Sequence, residues 1–179
     1  MHSLFALATL AAVASAAVTA GAPTSSACID NETAELHCYN GADDTAQNVT
    51  LADVTYTAKY LRLYGRQTRE GRLFTMTAQD APDCNEWTVY ARKSALTVAR
   101  HIDSTKNSSI LFEDIANTID GGEKATDDDK KKAIVGCLAS GGSLGVKANL
   151  QNPVYNSDKY KAGGFSPEGI MIKVVSNAQ

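Results

Sequence analysis

Apolar positions recur at intervals of three and four residues in three parts of the chain, and this spacing predicts amphipathic helices. The first helix is predicted over Thr50–Tyr64, with Thr50 as its N-cap. The second is predicted over Ser109–Ile119. The third is predicted to begin after Thr126 and to end at Gly141-Gly142. Its predicted inner stripe consists of Ile134, Val135 and Leu138.

Alternation of apolar and polar residues predicts strands, and the adjacent runs Glu86–Arg92 and Ala95–Ile102 predict an antiparallel hairpin that turns near Lys93-Ser94. Four further strands are predicted at Glu35–Tyr39, Arg72–Ala78, Leu144–Leu150 and Gly169–Ser176. Antiparallel sets of strands with a few helices are typical of the α+β class. We therefore predict an α+β fold in which an antiparallel sheet of about five to six strands carries two to three helices on one face.

The chain begins with a small and apolar run, Leu4–Ala17, which contains Ala14-Ser15-Ala16 near its end. Such a run is typical of a secretory signal peptide, and it is shorter than the ~20 residues that span a membrane. Cleavage is expected after Ala16, with Ala20 as the alternative. Residues 17–27 would then form a flexible lead-in, and residues 28–179 a single domain. The protein is therefore expected to be secreted, without a membrane span.

Four cysteines follow this leader, and an even number in an exported chain predicts two disulfides. The sequence allows three connectivities. We expect Cys28–Cys38, which would close a small N-terminal loop, and Cys84–Cys137, which would tie the middle of the chain to a late helix. No two cysteines have the Cys-x₂-Cys spacing of a zinc site. No metal and no cofactor are predicted.

Three Asn-x-Ser/Thr sequons, at Asn31, Asn48 and Asn107, are candidate glycosylation sites in an exported chain. The formal net charge is −3. A mildly acidic chain has no electrostatic reason to bind nucleic acid or anionic lipid, because both require a basic surface. The expected partner is therefore an extracellular or host protein.

The histidines that follow the leader, His37 and His101, are candidates for acid–base catalysis with a carboxylate from Glu113 or Asp114. A small secreted ribonuclease would place two such groups on either side of a phosphate. Gly141–Gly145 matches the Gly-x-Ser-x-Gly pattern of hydrolases, but a helix is predicted before the serine, a strand after it, and no histidine follows. A hydrolase that uses His37 and His101 is the alternative interpretation, and no catalytic residue is assigned.

The middle of the chain resembles the middle of the fungal necrosis-inducing effector domain, a family similar to killer-toxin-like small α/β proteins. The resemblance lies in three stretches, Trp87–Val89, Ala95–Val98 and Leu111–Ile119. The stretches correspond to a strand with a tryptophan, a second strand and a helix that contains an aspartate. This chain lacks the cysteine of the second strand and has longer ends. The resemblance implies a small secreted protein directed at a host.

Two segments are candidate contact surfaces. Gln151–Glu168 is long and rich in Asn, Tyr, Gly and Pro, and a loop of this length is usually functional or mobile. Tyr60–Arg72 combines aromatic and basic residues. We therefore predict a secreted, effector-like protein that binds a host or competitor target through these segments without catalysis.

Overall fold

The computed structural model describes Cys28 and residues 33–178. The predicted signal peptide, the lead-in and Asn31 lie outside the described residues. The strands are β1 (His37–Cys38), β2 (Leu73–Met76), β3 (Trp87–Arg92), β4 (Ala95–His101), β5 (Ser108–Leu111), β6 (Gly142–Gly145) and β7 (Ile170–Ser176). The α-helices are α1 (Leu51–Gly65), α2 (Phe112–Asp120), α3 (Asp127–Lys131) and α4 (Asp158–Ala162), and 3₁₀ helices cover Ile134–Ser140 and Pro153–Asn156.

The main sheet is antiparallel and has the order β1-β6-β7-β4-β3, so the last strand of the chain lies at its centre. β7 pairs with β4 along seven residues, from Ala95 opposite Ser176 to His101 opposite Ile170. β2 and β5 form a separate two-stranded antiparallel sheet. The predicted α+β class and the predicted β3–β4 hairpin, which turns at Lys93-Ser94, are confirmed.

The core lies between one face of the main sheet and the helices α1 and α2. Every second residue of β7 joins this core, because side chains on a strand alternate between its two faces. In α1 the apolar core positions recur every three or four residues, and Thr50 caps the helix by accepting a hydrogen bond from the Asp53 N–H at 3.3 Å. The principal core residues are Val54, Ala58, Leu61, Ile115, Ile119, Ile170, Ile172 and Val174.

The third predicted helix is wrong as one continuous element. Thr126 does cap α3, in a capping box with Asp129, but α3 is only five residues long. The 3₁₀ segment that follows, Ile134–Ser140, is interrupted by a kink at Leu138, whose φ and ψ are not helical. Gly136 packs so closely on α3 that a Cβ atom there would stand 2.7 Å from the Lys130 carbonyl oxygen. The chain therefore folds back on α3, and Leu138 is exposed instead of lying on an inner stripe.

Two element boundaries also differ from the prediction. Ser108–Leu111 pairs with β2 as strand β5, so the second helix begins at Phe112 and not at Ser109. The strand predicted at Leu144–Leu150 lies earlier, at Gly142–Gly145, where it fits between β1 and β7. The sequence suggests that Gly142 ends a helix. In the structure glycine is needed there because β1 lies so close that a Cβ atom at residue 142 would stand 2.4 Å from the His37 carbonyl oxygen.

The disulfides join Cys28 to Cys84 and Cys38 to Cys137, with Cα–Cα distances of 5.3 and 5.1 Å. The expected pairing of Cys28 with Cys38 and of Cys84 with Cys137 is therefore wrong. β1 pairs with β6, and the 3₁₀ helix that contains Cys137 leads directly into β6, so Cys38 and Cys137 meet. On the chain-entropy model, loops of 56 and 99 residues contribute about 4 and about 5 kcal/mol to the free energy of unfolding.

The segment Gln151–Glu168, expected to be a long loop, is folded and anchored. The Tyr155 hydroxyl donates to Asp114 Oδ2 at 2.6 Å and accepts from the Leu111 N–H at 2.8 Å. The Tyr160 hydroxyl donates to the Ser109 carbonyl oxygen at 2.6 Å. Burial raises the pKa of the Asp114 carboxyl and raises the pKa of Tyr160 to about 12. None of the described helices combines the length and apolar character needed to cross a membrane.

Candidate interaction surface

The two candidate catalytic histidines lie on opposite faces of the main sheet. His37 in β1 is aligned with Ser143 in β6, and Ser143 is aligned with Lys173 in β7. Lys173 is in turn aligned with Val98 in β4. Residues aligned across a sheet share a face, and residues an odd number of positions apart on one strand do not. His101 is three positions beyond Val98, so the structure does not bring the two imidazoles together.

Each histidine has a local partner instead. His101 is fully buried, with Nε2 2.9 Å from the Met76 carbonyl oxygen and Nδ1 3.2 Å from that of Ala81. His37 Nε2 lies 3.0 Å from Asp44 Oδ1, and the Gly41 N–H and then His37 lower the pKa of the Asp44 carboxyl. His101 therefore fastens the turn after β2 to β4, and His37 fastens the turn after β1.

The candidate carboxylates are also engaged elsewhere. Asp114 is buried and accepts from Tyr155. Glu113 accepts from Arg66 at 2.5 Å, on the side of α2 that faces the end of α1. Neither carboxylate shares a cleft with both histidines. Among the described residues, no three His, Cys, Asp or Glu side chains are grouped so that they could hold a metal ion.

The exposed side of α1 is the candidate interaction surface. Of the six large hydrophobic side chains that are exposed among the described residues, five lie on α1 or beside it. We call these five the α1 surface: Leu51, Tyr56, Tyr60, Leu63 and Leu138. Clustered exposed apolar side chains on a folded domain mark interaction sites, whereas single ones are ordinary.

One side of this surface is a row of aromatic rings that other side chains hold in place. We call Tyr56, Tyr60 and the half-buried Tyr64, spaced by one helical turn, the tyrosine row; Tyr64 continues the row beyond the five residues of the α1 surface. The Tyr60 ring stacks on Tyr90 of β3 with 4.2 Å between ring centroids. The Arg92 guanidinium lies 4.1 Å from the Tyr56 ring centroid, and that of Arg72 lies 4.5 Å from the Tyr64 centroid. These cation–π contacts fix the rings before any partner arrives.

The other side of the surface is a groove between α1 and the 3₁₀ helix that follows α3, with a volume of about 830 Å³. We call it the leucine groove, and its exposed apolar side chains are Leu51, Leu63 and Leu138, with relative exposures of 49%, 57% and 63%. Its rim carries the basic side chains Lys59, Arg66, Lys130 and Lys131. About half or more of the surface of each leucine is exposed.

Ion pairs hold α1, one wall of the groove, against α2. The buried Arg62 guanidinium donates to Asp120 Oδ1 at 2.6 Å and to Asn117 Oδ1 at 3.0 Å. Arg66 bridges Glu113 and Glu123, at 2.5 and 2.9 Å. The hydrogen bond from Arg66 lowers the pKa of the Glu123 carboxyl. The groove is therefore built on a fixed α1–α2 pair.

The two segments that the sequence predicts as contact surfaces meet in a second cleft, next to the groove. It has a volume of about 820 Å³ and lies between the turn at residues 65–71 and the segment at residues 152–159. Its charged lining is mixed and consists of Arg66, Arg69, Lys159, Glu70 and Glu113. Both predicted segments are thus at the surface, and Tyr60–Arg72 also supplies Tyr60 and Leu63 of the α1 surface.

Of the three groove leucines, Leu63 lies within the predicted contact segment Tyr60–Arg72, whereas sequence reasoning missed Leu51 and Leu138. Leu63 carried a usable signal, because it is two residues from the buried Leu61 and so lies about 200° around the helix from it. Leu51, the first residue of α1, fits the apolar spacing of the predicted helix, so the pattern gave no sign of its exposure. Leu138 carried no such signal, since its position depends on how the chain folds back on α3.

Two of the three predicted sequons lie within the described residues. Asn48 and Asn107 are both exposed, as glycosylation requires. The Asn107 side-chain oxygen accepts from the Ala78 N–H at 3.0 Å. Glycan occupancy at these positions stays a prediction, as does the resemblance to the necrosis-inducing effector domain. Comparison with protein-family models, with curated proteins and with solved structures finds no match to this chain.

Proposed function

We propose that this chain is a secreted, effector-like protein that binds a host or competitor protein and acts without catalysis. The observation that carries the proposal is the α1 surface, which gathers five of the six exposed large hydrophobic side chains of the described residues. Tyrosine and arginine are enriched among residues that dominate binding energy at protein interfaces. The tyrosine row with its two arginines has this composition.

Two further features support export and binding. Two disulfides are typical of proteins that fold in an oxidising compartment. The candidate acid–base pair of the alternative ribonuclease-like function is divided between two sheet faces, and His101 is fully buried. Reaction at one phosphate needs both groups within hydrogen-bond reach of it. The resemblance to the necrosis-inducing effector domain adds the expectation of a host-directed role.

Export is tested on the protein recovered from culture medium. Mass spectrometry is expected to find a chain that begins at Ala17, or at Gly21 for the alternative cut. A secreted chain that retains Met1 would contradict the predicted signal peptide. The same spectra report glycans at Asn31, Asn48 and Asn107 as added mass.

Binding is tested with fluorescently labelled protein applied to intact cells of candidate hosts and competitors. Retention of the wild-type protein is expected to saturate and to be displaced by unlabelled protein. The variant Leu63→Glu is expected to lose retention. Leu150→Glu is the matched control, because Leu150 is equally exposed, at 58%, but lies outside the α1 surface.

Two outcomes would overturn the proposal. Equal loss in Leu63→Glu and Leu150→Glu would show that the α1 surface has no special role. RNA degradation by the purified protein that disappears in His37→Ala would instead support the hydrolase.

A further inference from the structure

Three features of the leucine groove restrict what it can bind: its walls, its basic rim and the strained backbone at Leu138. We propose that the groove binds one amphipathic helix of a partner protein, with an apolar face that contacts the leucines and with acidic residues along its flanks. This inference rests on the proposed function and names the chemistry of the partner.

Leu138 is held in a backbone conformation that leucine avoids. Its φ is 56° and its ψ is −132°, a region that favours glycine. Its neighbours fix the conformation, because Cys137 is bonded to Cys38 and the Ala139 carbonyl oxygen accepts from the Val49 N–H at 3.0 Å. Such strain persists where the surrounding structure enforces it, and it concentrates at functional sites. Here it projects an apolar side chain into the groove.

The walls of the groove favour a helical occupant. An extended peptide binds by adding a strand to an open sheet edge, whereas a groove between helices takes the apolar face of another helix. Leu51 and Leu63 are twelve residues apart on α1, which makes the groove about 18 Å long at ~1.5 Å per residue. A helix that presents apolar side chains at positions i, i+4 and i+7 spans ~10 Å, so its anchors fit between these two leucines.

The rim determines the charge of the occupant. The groove lining contains five basic side chains and two carboxylates, in a chain whose net charge is −3. Arg62 and Arg66 are paired within the α1–α2 contact. Lys130 and Lys131 pair only with exposed carboxylates of their own helix, contacts that contribute little and exchange readily. Lys59 has no ion pair among the described residues. An acidic flank on the partner would meet these three lysines.

The experiment uses the full mature protein and a phage-displayed library of random 18-residue peptides. Selection on the wild-type protein is expected to enrich peptides with apolar residues at i, i+4 and i+7 and with Asp or Glu between them. Synthetic versions are expected to gain helical circular dichroism on binding. Leu63→Glu is expected to weaken their affinity by about 30-fold or more, as for an interface hot spot. Lys59→Glu is expected to weaken it by about 5-fold, an effect that falls at high salt.

Matched variants keep the result interpretable. Leu150→Glu is expected to bind the peptides like the wild type, and thermal unfolding of each variant checks that it is folded. Enrichment of basic or extended peptides, or binding that Leu63→Glu leaves unchanged, would overturn the helical, acidic partner. Self-association of the wild-type protein that Leu63→Glu abolishes would make a second copy of this chain the occupant and would also overturn it.

The proposed function and this inference fail separately. If cells retain the wild-type protein but the selected peptides do not compete for it, the partner chemistry is wrong and the binding function stands. If the peptides bind but no cell type retains the protein, the groove is confirmed and the host-directed role is wrong.

Discussion

The two sides of the α1 surface expose apolar side chains for different reasons. In the tyrosine row each ring has a partner within the molecule, since Tyr60 stacks on Tyr90, Arg92 lies over Tyr56 and Arg72 lies over Tyr64. In the leucine groove the side chains of Leu51, Leu63 and Leu138 lie outside the core and are exposed. The backbone of Leu138 is also strained.

The tyrosine side chains are exposed but make contacts that stabilise the fold, whereas the groove leucines are exposed without such contacts. Stacked and cation–π contacts of the tyrosine row raise the free energy of unfolding, whether or not the row binds a partner. An uncovered leucine contributes little to that free energy, so its exposure is better explained by a partner. The two sides are expected to respond differently to mutation, oxidation state and pH.

The largest expected effect concerns the wall of the leucine groove. Replacing the Cys38–Cys137 disulfide by the double variant Cys38→Ser/Cys137→Ser is expected to lower the free energy of unfolding by about 4–5 kcal/mol. Urea unfolding at 25 °C measures this. Because Cys137 is next to Leu138, the groove is also expected to lose affinity for the selected helical peptides.

The double variant Cys28→Ser/Cys84→Ser is the control for this effect. It removes a cross-link that lies away from the groove, and is expected to lower stability by about 4 kcal/mol while peptide binding stays within about 2-fold of the wild type. Equal loss of binding in both double variants would mean that general stability, and not the wall, governs the groove.

A direct test compares one residue from each side of α1. Tyr60→Ala is expected to lower the free energy of unfolding by about 1–2 kcal/mol, because it removes the stack on Tyr90. Leu63→Ala is expected to change it by less than about 0.5 kcal/mol, because the side chain is exposed and alanine favours the helix. Chemical denaturation of both variants measures the contrast. A larger loss in Leu63→Ala would remove the distinction between the two sides.

The strain at Leu138 gives a smaller effect of opposite sign. Leu138→Gly is expected to raise the free energy of unfolding by about 1 kcal/mol, because glycine accepts the positive φ. Leu138→Ala keeps the strain and removes most of the side chain, so it is expected to bring no such gain. Both variants are expected to weaken peptide binding. A destabilised Leu138→Gly variant would show that the side chain contributes more to the fold than its exposure indicates.

The sequence predicted the parts of the fold that depend on local pattern. α1 and the β3–β4 hairpin follow from apolar spacing, a helix cap and a two-residue turn, all of which lie within a few residues of each other. The disulfide pairing failed because it depends on the pairing of β1 with β6, strands about 100 residues apart in the chain. A local pattern carries no information on that contact.

The candidate site was predicted only in part for the same reason. Tyr60–Arg72 was selected for its aromatic and basic composition, and it does contain part of the tyrosine row. Leu138 was assigned to a helix stripe, because a regular helix was assumed across Gly136. The close approach of Gly136 to α3 breaks that helix and turns Leu138 outward. The separation of His37 from His101 likewise depends on strand register across four strands.

The smallest expected effect is a pH dependence that differs between the two sides. On the tyrosine side, burial first, and then the nearby Tyr56 and Tyr60, raise the pKa of Tyr90 above its ordinary value of 10.0. The unfolded chain therefore loses this proton at a lower pH than the folded protein, so stability falls as the pH rises above 10. Tyr90→Phe is expected to flatten this alkaline loss.

On the groove side the sign is reversed. The hydrogen bond from Arg66 lowers the pKa of Glu123 below its ordinary value of 4.5. The contribution of this pair is present above pH 4.5 and is lost as the pH falls through the lowered pKa, so Glu123→Gln is expected to flatten the acid side only. Urea unfolding at pH 3–5 and pH 9–11 measures both variants. If Tyr90→Phe altered the acid limb, or Glu123→Gln the alkaline limb, the two sides of α1 would not be electrostatically independent.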